Sequence, residues 1–182
     1  AGLFGLHASM SLSEETLQKV HDKLKDTPIH IHVAESEMDE IDSLNKYQKR
    51  VIERLDNHGL INEDSLLVHC VHVNDQELEI IKKRRASIVV NVTSNMNNAV
   101  GLPNINKFNN LGIPVMVGND GLSSGIANEY INVLYSAHLL HKQPTAFGLD
   151  KLLEMINNGY DYVSRQLGVK LGRIEEDYQA DM

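Results

Sequence analysis

Nine histidines in 182 residues are enough to prompt a search for a metal or acid/base centre. The densest run is Pro28-Ile-His-Ile-His-Val-Ala-Glu35, where His30 and His32 share one face of an apolar strand. On spacing alone either histidine could be a ligand, with the other a hydrogen-bonded core residue. In Leu67-Val-His69-Cys-Val-His72 the two histidines point to opposite faces, so at most one looks into a shared site. Ser94-Asn95 and Asp120-Gly121 follow, and His7 closes the first apolar run. Imidazoles and carboxylates of this kind hold a divalent ion, which lowers the pKa of water to about 7. A nearby carboxylate then moves protons between water, substrate and leaving group. Each residue alone has a plainer reading. A single strand-end histidine is usually capped or solvated, and Asp-Gly is a common turn. Cys70 has no second cysteine beside it and reads as a buried thiol. His21, His58, His138 and His141 fall on helical stretches or their ends and read as structural or surface residues.

Bringing such residues together requires a scaffold, and the chain alternates strand and helix patterns. Apolar runs at residues 1–7, 29–34, 66–71, 87–92 and 115–118 have strand length and β-branched character. Between them lie a helix capped by Ser13, one or two amphipathic helices ending at Gly59, and helices over residues 75–85 and 104–110. From Ile126 onward the pattern is helical, with turn signals near Pro144 and Gly148. The alternation predicts an α/β fold with a parallel sheet, either an open doubly wound sheet or a (β/α)8 barrel. The nucleotide-binding open sheet wants a glycine-rich turn after its first strand, and no GxGxxG occurs here. Five strands are too few for a complete barrel, so the expectation is part of a TIM-like barrel. The chemically capable residues then fall at the carboxyl ends of the strands, where such folds place their sites.

Composition narrows the function classes. Seventeen basic against twenty-five acidic residues give a net charge of -8, which disfavours nucleic acid or an anionic membrane as partner. No apolar run approaches the roughly 20 residues of a spanning helix. One cysteine makes no intrachain disulfide, and a cytoplasmic setting is expected.

The residues resemble the amidohydrolase superfamily, in its metal-dependent deaminase and chlorohydrolase branch. The run 28–35 resembles its fifth-strand motif and Leu67-Val-His69-Cys-Val-His-Val73 its sixth. Val92-Thr-Ser94-Asn95-Met96 is similar to its Ser-Asn turn, and Val117-Gly-Asn-Asp120-Gly121 to its eighth-strand aspartate motif. The run 94–101 and the Gly118-Asn-Asp-Gly121 loop resemble those of the SsnA-type aminohydrolases. The resemblance implies a hydrolase that deaminates an amino-substituted heterocycle with one divalent ion, zinc or iron. It implies His32 and Asp120 as metal ligands, Glu35 as proton shuttle, and His69 as the group that polarises the attacked carbon's substituent or orients water. Asp120 would also be the base for that water, with His7, Ser94 and Asn95 at the substrate. Dechlorination with the same residues, or a binding protein with a degraded site, are the alternatives.

Three departures bear on this reading. The family's first two ligands form a His-x-His on the first barrel strand, which these residues do not include. Asn119 stands where the family usually has Thr, and Val92-Thr93 where it usually has Asn-Pro before the Ser-Asn turn. Residues 1–182 are therefore expected to be the C-terminal part of the catalytic barrel, without its upstream strands and small β domain. Residues 171–174 and 180–182 resemble the exit toward that domain. Alone, the chain is expected to be inactive, to bind metal weakly, and to expose the edges of its first and last strands. The rest of the parent chain or a second copy would cover those edges.

Overall fold

A computed structural model describes residues 2–122 and 125–180. Five strands form one parallel sheet: β1 (Phe4–Ala8), β2 (Ile29–Val33), β3 (Leu66–His69), β4 (Ser87–Val90) and β5 (Val115–Val117). The helices are α1 (Glu14–Leu24), α2 (Glu37–Tyr47), α3 (Val51–Asn57), α4 (Asp75–Arg84), α5 (Val92–Asn97), α6 (Ile105–Asn110), α7 (Ile126–His141) and α8 (Leu149–Leu167). Strand order equals chain order, β1-β2-β3-β4-β5. A doubly wound sheet reverses direction at a switch point. Here every crossover steps the same way, the arrangement of a partial (β/α)8 barrel.

The alternation of β2 decides what each face does. Ile29, Ile31 and Val33 are buried in the core, with Leu67, Ile88 and Val115 beside them in register. His30 and His32 take the other face, where His32 lies in a row with Val68, Val89 and Met116. α1 begins where Ser13 accepts the Thr16 amide and buries Leu17 and Val20. A reciprocal cap between Asn74 and Glu77 opens α4, which buries Leu78 and Ile81.

Several expected boundaries move. The strand expected over 87–92 stops at Val90, and Val92 opens α5. Strand propensity yields here because Glu129, fully buried on α7, accepts the Thr93 amide and Asn132 donates to the Thr93 hydroxyl. His7 lies inside β1 rather than at its end. The turn signals near Pro144 and Gly148 fall in the break between α7 and α8, and the helical run stops at Leu167 rather than continuing to the end. Gly168, at φ 69, stops α8 by returning its amide to Ser164. Of the exit motif expected over 180–182, Asp181 and Met182 lie outside the described residues, as does Ala1 of the first run.

The expected bareness of the last strand is also corrected in part. Pro114 and Gly118 bond to β4, so the Val115 carbonyl faces the open edge of β5. Asn158 of α8 donates to that carbonyl at 3.0 Å. Further along α8, Tyr162 donates to the Asp64 carbonyl at 2.7 Å, and Val163 and Leu167 meet Gly2 and Leu3. The last helix thus passes beneath the amino ends of the strands, from β5 to β1. Among the described residues no helix is long and apolar enough to cross a membrane.

Candidate active site

Four non-glycine residues take left-handed backbone at the carboxyl ends of β2, β3 and β5: Ala34 (φ 44), His69 (φ 71), Cys70 (φ 51) and Asp120 (φ 53). Such conformations cost about 1–3 kcal/mol each and persist where the surroundings enforce them. The enforcement is visible. The Ala34 amide donates to Asp39 Oδ2 at 2.8 Å, and its carbonyl accepts from the His72 amide at 3.0 Å. The Cys70 amide donates to Val33 at 3.0 Å. These bonds turn the chain sharply after β2 and β3, where Glu35 and His69 stand. Asp39 is buried, and burial raises its carboxyl pKa against the pull of the Ala34 amide.

At the centre stands His69, with no solvent exposure. Its Nε2 lies 3.6 Å from Glu35 Oε2 and 3.9 Å from Asp120 Oδ2, beyond hydrogen-bond length for both, and has no other partner. Burial pushes the imidazole below its ordinary pKa, and neighbouring His32 adds to this against the pull of Glu35 and Asp120. The His32 ring lies 5.2 Å from that of His69, and the His7 ring 5.8 Å from His32. A hydrogen bond from Ser94 Oγ at 2.7 Å holds Asp120 below the usual carboxylate range, so it is ionised at neutral pH.

The short helix α5 holds this arrangement from one side. Ser94 bonds Asp120, Asn95 Nδ2 meets His69 Nδ1 at 2.9 Å, and Asn98 just past the helix donates to Glu35 Oε1 at 3.1 Å. Asn95 is fully buried and its amide faces His69. With Nδ2 donating, the ring proton of His69 sits on Nε2, toward the two carboxylates. His7 is exposed and bonded to Ser11 Oγ at 3.0 Å. His30 is half-buried, its ring 6.3 Å from His32, and burial followed by the charge of His32 lowers its pKa. Cys70 is enclosed, and burial raises its thiol pKa well above the ordinary value.

The His32 imidazole and the carboxylates of Glu35 and Asp120 are donors of the kind that hold a divalent ion. The set is incomplete, because among the described residues no three His, Cys, Asp or Glu side chains converge to hold one. A structural zinc site normally needs four protein ligands and a catalytic one three.

The sequence pattern of the Amidohydrolase family matches residues 3–182. This chain belongs to that family. It is 35% identical to a 5'-deoxyadenosine deaminase of Methanopyrus kandleri over 98% of its own length and 42% of that protein's. Against a 5-methylthioadenosine/S-adenosylhomocysteine deaminase of Clostridium tetani the identity is 33%, over 97% of this chain and 42% of the other. An adenosine deaminase from Xanthomonas campestris, solved with bound zinc, superposes with a TM-score of 0.83 at 25% identity. That match covers 98% of this chain and 42% of that one. The chain thus spans less than half the length of these amidohydrolases.

Three supporting residues escape sequence reasoning. Asp39 and Glu129 look like ordinary acidic residues in the first turns of helices, yet both are buried and bond backbone amides that shape the site. Asn98 stands in an asparagine-rich run whose composition suggests only a loop. Glu129 and Asn98 carry no local signal because their partners lie 36 and 63 residues away, and Asp39 shows none because the turn it closes, five residues back, forms only where β2 ends.

Proposed function

We propose that the protein is a metal-dependent hydrolase that deaminates an amino-substituted heterocycle, replacing the exocyclic amine by oxygen and releasing ammonia. The observation that carries this reading is the buried His69 Nε2, aimed between the carboxylates of Glu35 and Asp120. His32 and Asp120 are the ligands this chain contributes, and the remaining ligands come from strands outside these residues. The ion, zinc or iron, supplies the Lewis acidity that makes water nucleophilic at neutral pH. Asp120, kept ionised by Ser94, takes a proton from the attacking water. Glu35 carries a proton to the ring nitrogen as the C–O bond forms, and a proton then reaches the amino group, so the C–N bond breaks and ammonia leaves. His69 donates from Nε2 toward the attacked carbon's substituent or the water. Ser94 and Asn95 hold Asp120 and His69, and His7 at the open rim meets the substrate.

In this reading residues 1–182 are the C-terminal part of the catalytic barrel of a cytoplasmic enzyme, and the remaining parent chain covers β1. A second copy is the other occupant for that edge. The named relatives make 6-aminopurine nucleosides the first substrates to try.

The test is ammonia release by the intact protein from 5'-deoxyadenosine and methylthioadenosine, with wild-type and Glu35→Gln compared. The variant should keep its metal and lose about 10²–10⁴-fold in turnover, the usual contribution of a proton-transfer group. Turnover at the wild-type rate removes Glu35 from the mechanism. Chloride release from a chlorotriazine without any deamination transfers the site to dechlorination.

A further inference from the structure

We infer that Asn98 is the positioning residue for Glu35, fixing which carboxylate oxygen faces the reacting atoms; this rests on the proton-shuttle role proposed above. Glu35 sits on a turn just past β2, with 28% of its side chain exposed. Among the described residues its one hydrogen bond comes from Asn98, whose Nδ2 donates to Oε1 at 3.1 Å. The other oxygen, Oε2, faces His69 Nε2 at 3.6 Å. Holding Oε1 therefore aims Oε2 at the centre of the cluster.

Asn98 is itself held from several directions. Its amide nitrogen returns to Ser94 O at 2.9 Å, its Nδ2 approaches Ser94 Oγ at 3.5 Å, and its Oδ1 accepts from Asn97 at 3.1 Å. Two residues on, the Val100 carbonyl is bonded by His72 Nε2 at 2.7 Å, and the His72 carbonyl accepts from Arg50 at 2.7 Å. Arg50 is braced in turn by Glu77 at 2.6 Å. The loop after α5 is thus tied to α4, and Asn98 is presented to Glu35 from a fixed base. One side chain contacts both Glu35 and Ser94, the residue that holds Asp120. The two carboxylates of the site are set relative to each other through it.

The experiment is made on the intact protein with 5'-deoxyadenosine as probe. Asn98→Ala should lower kcat about 10- to 100-fold, the usual cost of losing a partner that orients a site residue, with KM and metal content nearly unchanged. In a Glu35→Gln background the same substitution should have no further effect, because the group it positions is gone. An equal fold-loss in both backgrounds, or an unchanged kcat in the first, overturns the assignment. The crystal structure of Asn98→Ala supplies a readout apart from activity, with the Glu35 carboxylate expected to leave its place. Should the wild-type protein release no ammonia, the deamination reading fails by itself. The crystal structure then decides on Asn98, and a Glu35 carboxylate that stays put counts against it.

Discussion

Arg54 and His69 are both shut off from solvent, and their surroundings treat them in opposite ways. The Arg54 guanidinium on α3 uses every nitrogen. Nε donates to Glu14 at 2.5 Å, one terminal nitrogen to both oxygens of Ser9 at 2.9 Å, and the other to the Leu12 carbonyl at 2.5 Å. The Tyr47 ring lies 3.7 Å from its charge. His69 has one ring nitrogen bonded and the other left open between two carboxylates. A buried charge must be matched by partners or it destabilises the fold. Arg54 is fully matched and holds the turn after β1 in place, so it reads as scaffold. The unpartnered Nε2 of His69 between two carboxylates supports the role proposed for it at the reacting atoms.

The contrast can be broken at its scaffold side first. Arg54→Ala should destabilise the intact protein by about 2–5 kcal/mol, because it empties the buried space of the side chain and removes its donors from the Ser9 oxygens and the Leu12 carbonyl. Denaturant unfolding measures this, and a cost below about 1 kcal/mol would mean that Arg54 is as dispensable as a surface charge.

The site side is sharpened by separating the two histidines of β2. His32→Ala should weaken metal binding by about 10-fold or more, while His30→Ala should leave metal content intact and lower stability instead. Metal analysis after dialysis reads this out. Loss of metal only in the His30 variant would exchange their roles and move the site deeper along the strand face.

The smallest effect concerns a second buried cluster, where matching is nearly but not fully achieved. Glu40, Glu77 and Arg50 meet between α2, α3 and α4, with Arg50 2.6 Å from Glu77 and 3.2 Å from Glu40. Burial, and then the charge of Glu77, push the Glu40 carboxyl up to about 8, against the Val51 amide that favours its ionised form. The folded state therefore binds this proton more tightly than the unfolded chain. Its contribution to stability is present below the usual 4.5 and is lost as pH rises through about 8. Glu40→Gln should raise Tm by a few degrees at pH 8.5, and the gap should close by pH 4.5. A gap of equal size at both pH values would show that Glu40 is held ionised throughout.

Much of the architecture was legible before any coordinates. Alternating apolar runs located all five strands, and Ser13 with Glu14 and Glu15 marked the start of α1. The errors fell where long-range contacts override local preference. Val92 has strand propensity but begins a helix because Glu129, 36 residues away, takes the Thr93 amide. The turns near Pro144 and Gly148 are legible, whereas the left-handed stop at Gly168 is signalled by one glycine alone, so the helical pattern continues past it in the sequence.

By itself the sequence determined that this is an α/β chain, that its polar residues gather at strand ends, and that its motifs are those of amidohydrolases. Period-two alternation and residue type are local properties, and they survive in any context. Only the tertiary structure decided the direction of strand order, which separates a barrel from a doubly wound sheet. It alone placed Glu35 and Asp120 each within 4 Å of His69 across three loops. It also turned Asn95 toward His69 and brought Asn98 to Glu35. These depend on left-handed turns at Ala34, His69 and Asp120, and such strained conformations exist only where distant amides, carboxylates and a neighbouring strand enforce them.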